Sequence, residues 1–280
     1  MNNMYNAKLG ILTSVFLFLF FPWSVCFATE NKTSVSDREL LMLSIMSYHN
    51  EQNVDVADMT EDEDFRQKWF AGYTDASELK GWKMVDSIIN TSIKKMSGFS
   101  VVTYKKDNNV VIAFRGTDSG VAKENWGYFI LKNEHPQAKY VEQYISSLRH
   151  ASFINYDTNI YLTGHSLGGY LATFALGKIT GIKDLKDKVV KTTTFNGLGI
   201  GYTKDKAMLK RLNNIGEHQL VNYAVSGDVV VLIGKHFTKI KYVDFTLRPL
   251  KNSMKFLSNP HFPYNFLVQK PFLINDTPEI

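Results

Sequence analysis

Cysteine is almost absent from this chain of 280 residues: Cys26 is the only one. No intrachain disulfide can form, and thiol chemistry has no second residue to draw on. Long apolar runs are equally scarce. Leu9–Phe21 is the one such stretch, behind a polar start whose single charge is Lys8 and ahead of Pro22. Small residues at Cys26 and Ala28 then suit the −3 and −1 positions of a cleavage site, which is the pattern of a secretory signal peptide over residues 1–28. A membrane-spanning helix needs roughly 20 apolar residues, more than this run supplies, so a leader is preferred to an uncleaved anchor. Lipidation at Cys26 is disfavoured by Trp23 and Val25. On this reading the mature chain starts at Thr29, has no cysteine, and is exported to the periplasm or the medium.

Charge of one sign is also lacking. The formal charge of +5 becomes +4 once Lys8 is removed, too mild a surplus to argue for nucleic acid. Internal repeats, low-complexity tracts and composition breaks are missing, so residues 29–280 read as a single domain with one large core. With no zinc-type histidine pair and no phosphate-binding glycine loop, neither a metal nor a cofactor is expected.

What is present alternates between helix and strand patterns. Ser36, with Glu39 three residues on, makes a capping box for a helix whose apolar side is Leu40, Leu41, Leu43, Ile45 and Met46, through about Tyr48. The acid run Glu61–Asp64 reads as a solvated helix start. Phe99–Tyr104 and Val110–Arg115 read as strands joined by the polar stretch 105–109, a hairpin signal. Val110–Phe114 is continuously apolar, as in a strand buried on both faces. Further on come a helix over Pro136–Leu148, a short strand Asn159–Thr163, a small-residue helix Leu167–Ile179, strands at Val189–Phe195 and Gln219–Val225, and a strand or hairpin within Phe237–Leu247. Such alternation predicts an α/β fold: a mostly parallel central sheet with helices on both faces.

Gly164-His165-Ser166-Leu167-Gly168 is a G-x-S-x-G pentapeptide. Alone it is a weak signal; between a short strand and a small-residue helix it has the strand–turn–helix setting of a nucleophile elbow. Ser166 is then the candidate nucleophile, presented above a helix N-terminus whose free N–H groups favour developing negative charge. The Leu167 N–H follows as an oxyanion donor from elbow geometry. His165 is adjacent in sequence, but its side chain points away from that of Ser166 in such a turn, so it reads as structural.

Ile112-Ala113-Phe114-Arg115-Gly116-Thr117, taken with Thr163–Gly169, resembles the class 3 lipase family, the fungal-lipase-like α/β-hydrolases. Gly98-Phe99 and Phe195-Asn196-Gly197 resemble bacterial members, and the similarity runs from about Leu40 to about Phe266. The resemblance implies an α/β-hydrolase fold and an oxyanion donor at Thr117, by its backbone N–H and its hydroxyl. Arg115 reads as a structural ion-pair partner.

In this fold the acid and then the histidine follow the serine along the chain. Asp228 turns out of the strand ending at Val225, and it matches the family's acid position. Asp184 and Asp187 lie in a lysine-rich loop, and Asp244 reads as lying inside a strand. Only His236 and His261 follow Asp228. His261 is preferred because it leaves room for another strand first, and because an aromatic follows it by a few residues as in the bacterial members; Pro263 departs from that pattern and keeps His236 open. His49, His135, His150 and His218 read as structural.

The reading is a serine esterase with a Ser166–Asp228–His261 triad, acting on acyl esters. A lipase or phospholipase, in transient contact with a membrane or lipid interface, comes first. A soluble small-ester or thioester hydrolase is the alternative, and an inactive exported binding protein comes third. Asp118–Pro136 carries Trp126, Tyr128, Phe129, Ile130 and Leu131 directly after Thr117, so it reads either as a flap over the site or as an element packed permanently on the core. The class 3 resemblance implies a lid at this place. If it is a flap, hydrolysis of a medium-chain ester is expected to rise sharply once substrate exceeds its solubility limit, and Trp126→Ser is expected to blunt that rise; smooth saturation across the limit speaks for the soluble-ester enzyme. For the leader, N-terminal sequencing of protein from its native host is expected to start at Thr29, whereas an intact Met1 on a membrane-embedded chain means an anchor.

Overall fold

The computed structural model describes residues 34–49, 56, 62–70, 77–89, 98–117, 134–244, 260–263 and 265–268. The chain divides into two units, Met1–Ser34 and Val35–Ile280. The predicted leader lies outside the described residues, as does the predicted flap except for Glu134–Pro136. Among the described helices none is long and apolar enough to cross a membrane.

Among the described residues, seven strands form one sheet in the order of the chain: β1 (Lys83–Ile88), β2 (Val101–Lys106), β3 (Asn109–Phe114), β4 (Asn159–His165), β5 (Val189–Phe195), β6 (Leu220–Val225) and β7 (Ile240–Val243). The first three pair antiparallel, and β3 through β7 pair parallel. The helices are α1 (Asp37–Met46), α2 (Glu63–Phe70), α3 (Ala138–Ser147), α4 (Leu167–Ile179), α5 (Lys183–Lys186), α6 (Lys206–Asn213) and α7 (Asn265–Val268).

The strand order explains how the two faces are covered. Each parallel strand is added beside the previous one, always in the same direction. A crossover of fixed hand therefore puts every connecting helix on the same side. The apolar faces of α3, α4 and α6 accordingly pack on one side of the sheet with Val110, Ile112, Phe114, Ile160, Leu162 and Leu220. The other side, with Val111, Ala113, Tyr161, Val221, Tyr223 and Val225, is covered by segments from both ends of the chain: α1 and α2, and Phe266 and Leu267 of α7. Val110 through Phe114 thus alternate between the two cores, which is why the run is apolar without interruption.

Local chemistry sets the main boundaries. Ser36 and Glu39 form the reciprocal capping box at the start of α1, at 3.1 Å and 3.0 Å. Of the acid run, Glu63 and Asp64 form the first turn of α2 and the Asp62 side chain accepts the Phe65 N–H at 3.0 Å, while Glu61 lies outside the described residues. The hairpin between β2 and β3 is tighter than its polar joint suggests. Lys105 pairs with Val110 and Lys106 with Asn109, leaving Asp107-Asn108 as the turn, with Asp107 at φ 53°. A two-residue turn of this kind needs the left-handed region, which Asp and Asn tolerate.

Three elements escape the sequence patterns: β1, α6 and the four-residue α5, which places Asp184 in a short helix and not in a loop. In β1 the register slips between Met84 and Asp86, so a bulge breaks the period of two on which strand recognition rests. In α6 only Met208 and Leu212 are buried, a narrow stripe in a lysine-rich stretch. Asp244 stands just past β7, exposed, and not inside a strand.

His135 is buried at the entry to α3, where its Nδ1 accepts the Gln137 N–H at 3.3 Å. Burial lowers its pKa from 6.5 to about 4. Below pH 6.5 the unfolded chain takes up a proton that folded His135 refuses until about pH 4. Its contribution to stability is therefore intact above that window and falls with pH inside it, by up to about 1.4 kcal/mol per pH unit. His135→Asn keeps an acceptor without a titrating group. Urea unfolding at a series of pH values is expected to give a shallower acid loss for this variant, and an unchanged slope would contradict the burial argument.

Candidate active site

Parallel strands end their carbonyl edges together, so the segments leaving β3, β4 and β6 meet at one end of the sheet. Phe114 is level with Gly164, His165 with Phe195, and Phe195 with Tyr223. Arg115–Thr117 leave β3, Ser166 leaves β4, and Ser226–Asp228 leave β6.

Ser166 sits between β4 and α4 with φ 57° and ψ −126°. A residue with a Cβ pays about 1–3 kcal/mol for such a backbone, and the surroundings hold it there. The Ser166 N–H donates to the Phe195 carbonyl at 3.1 Å, and its own carbonyl accepts from Gly169 N–H at 2.9 Å. The turn is tight enough that a Cβ on Gly168 would run into the Phe114 carbonyl. Gly116 is equally constrained. A Cβ there would come within 2.6 Å of the His165 carbonyl and 3.2 Å of the Ser166 Cβ, and would also meet the Tyr48 hydroxyl. The stretch carrying Thr117 therefore runs directly against the serine.

Leu167 occupies the first position of α4, where helix geometry leaves its N–H without an intrahelical acceptor. Thr117, half-buried, follows Gly116. Leu167 and the stretch that carries Thr117 thus lie on either side of Ser166. Arg115 is buried and donates from Nη2 to the Gly98 carbonyl at 3.4 Å.

His261 lies between Ser166 and Asp228. Its Nδ1 is 2.7 Å from Asp228 Oδ2, and its Nε2 is 2.8 Å from Ser166 Oγ. An ionised carboxylate only accepts, so Nδ1 carries the proton. Nε2 is then the bare nitrogen that accepts from the serine hydroxyl. Asp228 is itself buried, and its other oxygen accepts the Val230 N–H at 2.9 Å. His236 is turned elsewhere, with Nε2 on the Val231 carbonyl at 2.9 Å.

A layer behind the histidine was not anticipated from sequence. His165 is fully enclosed; burial foremost, and next the neighbouring His261, lowers its pKa well below 6.5, so it is neutral. Its Nε2 is 2.7 Å from the His261 carbonyl, and its Nδ1 is 3.0 Å from the Tyr48 hydroxyl. The buried Asn196, at φ 47°, donates from Nδ2 to the carbonyls of Pro260 at 3.0 Å and His261 at 3.1 Å, while its Oδ1 accepts the Val225 N–H at 2.8 Å. Asn196 already stood out in Phe195-Asn196-Gly197. Tyr48 had no such signal, because nothing in its neighbourhood of the chain says that it reaches the elbow.

This arrangement has a half-buried, oriented imidazole on a serine hydroxyl, a buried carboxylate behind the imidazole, and the Leu167 N–H beside the serine. It is suited to nucleophilic attack by Ser166 Oγ on a carbonyl carbon.

Comparison with known proteins places the chain. The model of the Mbeg1-like family matches residues 75–231, more than half of the sequence. The match includes Thr117, Ser166, Leu167 and Asp228 and ends before both candidate histidines. No curated protein matches the chain. Among solved structures it is similar to a mutant form of MDLA from Penicillium cyclopium, at 16% identity, covering 79% of this chain and 84% of that one with a TM-score of 0.51. It is also similar to the Lip2 lipase of Yarrowia lipolytica, at 14% identity, with coverage of 74% and 77% and a TM-score of 0.45. A lipase of Rhizopus microsporus var. chinensis aligns at 13% identity with a TM-score of 0.43 over 69% of this chain, which spans 66% of that lipase. At these identities the likeness concerns the fold, which is that of the α/β-hydrolases.

Proposed function

The chain belongs to the Mbeg1-like family, and we propose that it is a serine hydrolase that cleaves carboxylic esters. The observation that carries this reading is the continuous relay from Ser166 Oγ through His261 to Asp228, at 2.8 Å and 2.7 Å, on a serine held in strained elbow geometry.

The chemistry follows from the proton positions. His261 Nε2 takes the Ser166 proton as Oγ attacks the ester carbonyl carbon. The imidazole becomes a cation, and the Asp228 carboxylate at Nδ1 stabilises it. The carbonyl oxygen becomes an oxyanion held by the N–H groups of Leu167 and Thr117 and by the Thr117 hydroxyl; losing one such donor costs about 3–4 kcal/mol. His261 then protonates the leaving alcohol, and the acyl group stays on Ser166. Water, deprotonated by the same nitrogen, attacks the acyl-enzyme and releases the acid.

For the substrate we propose acyl lipids met at an interface. This is supported by the exposed apolar surface beside the acid: Val229 and Leu232, in the turn that follows Asp228, are 67% and 72% exposed. Apolar side chains at the rim of a site suit contact with lipid. Export by the Met1–Ala28 leader belongs to the same proposal, since it would bring the enzyme to extracellular or envelope lipid.

A fluorophosphonate is expected to label Ser166 covalently, and Ser166→Ala is expected to abolish both labelling and ester hydrolysis, a loss of about 10⁶ in turnover by comparison with a well-studied serine protease. Asp228→Asn and His261→Ala are expected to cripple turnover in a protein that still folds. His236→Ala is the control. Folded wild-type protein that stays unlabelled and inactive on a broad ester panel would refute the hydrolase reading, whereas a dead His236→Ala beside an active His261→Ala would move only the base.

A further inference from the structure

The catalytic histidine proposed above is held by its ring at two points, but a ring is only as fixed as the backbone that carries it. His261 lies in a short stretch, Pro260–Pro263, ahead of the four-residue α7. In that stretch the Phe262 and Pro263 carbonyls accept from Asn265 and Phe266 N–H. The His261 carbonyl is fixed instead from the sheet side, by the buried imidazole of His165 and the buried amide of Asn196.

The proton on His165 can be located by elimination. A carbonyl oxygen only accepts, so Nε2 must carry the hydrogen in its 2.7 Å contact with His261. A neutral imidazole has one such hydrogen, so Nδ1 is bare, and the Tyr48 hydroxyl donates to it. Tyr48 therefore selects the tautomer that binds the His261 backbone. Tyr48 is in turn fixed by stacking on Trp69, at 4.0 Å between ring centroids and 23° between planes. Its hydroxyl also lies where a Cβ on Gly116 would fall, so it touches the strand end that carries Thr117.

We infer that Tyr48, His165 and Asn196 are positioning residues for the catalytic base, a clamp on the His261 main chain that keeps its Nε2 in line with Ser166 Oγ. This rests on the triad reading above. Ser166 Oγ is hydrogen-bonded to His261 Nε2, and the three act through the fixing of His261. The charged and titratable groups facing His165 are Tyr48, with its hydroxyl on Nδ1, and His261, whose ring centroid is 4.9 Å away; beyond His261 lies Asp228. Because His261 becomes cationic in each turnover, its neighbour works best as a neutral donor, and His165 is one.

The clamp makes distinct predictions for turnover and for binding. A base displaced by a fraction of an ångström slows proton transfer without altering how the ester binds, so kcat falls and KM stays. On a dissolved short-chain p-nitrophenyl ester, His165→Leu is expected to lower kcat about ten- to a hundredfold and leave KM within about twofold. His165→Gln keeps an N–H near the position of Nε2 and is expected to restore most of the loss. Tyr48→Phe removes one oxygen atom and is expected to lower kcat in the same sense, with loss of the ¹⁵N signature of the Nε2–H tautomer of His165. Hydrogen exchange at the amides of His261 and Phe262 is expected to quicken in both Leu and Phe variants.

A folded His165→Leu with wild-type kcat, or a His165→Gln as impaired as Leu, would overturn the clamp. If His165→Leu fails to fold, Tyr48→Phe decides: wild-type kcat and an unchanged tautomer would overturn it. If wild-type protein neither reacts with the fluorophosphonate nor hydrolyses esters, the hydrolase reading falls. The clamp is then judged by exchange at His261 and Phe262 in Tyr48→Phe, where faster exchange supports it and unchanged exchange overturns it.

Discussion

The sharp reversal of the chain at Ser166 is the constraint around which this site is built. A residue with a side chain is held at φ 57° by the N–H bond to the Phe195 carbonyl and by the buried helix that starts immediately after it. The strain is affordable because α4 is deeply packed: nearly every one of its residues is buried against the sheet and its neighbouring helices. The same reversal dictates the residues around it. Backbone from β3 and from α4 must approach so closely that Gly116 and Gly168 leave no room for a Cβ. The strand end that carries Thr117 and the turn that carries Ser166 thus come together through the exclusion of side-chain volume.

The second element of the design is where the two ends of the folded unit meet. Strands added in chain order send their connecting helices to one face, so the opposite face must be covered by the flanking segments. Tyr48, from the end of α1, and Phe266, from α7, share one apolar core there. Phe266 packs on Phe195 at 5.5 Å between centroids, one residue before Asn196, which binds the carbonyls of Pro260 and His261. His261 therefore meets Ser166 from a segment whose Phe266 packs in the same core as α1. Apolar burial supplies the driving force, and three polar contacts supply the register.

Buried charge at the start of α1 is matched by several partners. Asp37 at the start of α1 accepts from Thr193 at 2.8 Å, from Tyr223 at 2.9 Å and from Lys191 at 2.7 Å, tying the first helix to β5 and β6. Removing one partner from such a set leaves a buried charge uncompensated, whereas the intact set contributes orientation more than net stability. It sets the angle at which α1 crosses the sheet, and so where Tyr48 points.

Much of this was legible in the sequence because the relevant forces are local. The capping box of Ser36 and Glu39, the doubly buried run Val110–Phe114, the bounds of Leu167–Ile179 and the strand–turn–helix around Ser166 each depend on residues within a few positions of one another. β1 was not legible, because a bulge between Met84 and Asp86 destroys its period, and α6 was hidden by its narrow apolar stripe. The histidine was legible only as a choice of two. His236 and His261 are chemically alike, and what separates them is a 2.8 Å approach to Ser166 across 95 positions of chain. Tyr48 and His165 are likewise joined across 117 positions. By itself, then, the sequence determined most of the elements and the strand–turn–helix that presents Ser166, since hydrogen bonding and apolar periodicity act between near neighbours. Only the tertiary structure decided which histidine meets the serine and what holds it there, since those contacts exist only after the two ends of the domain have packed on the same face of the sheet.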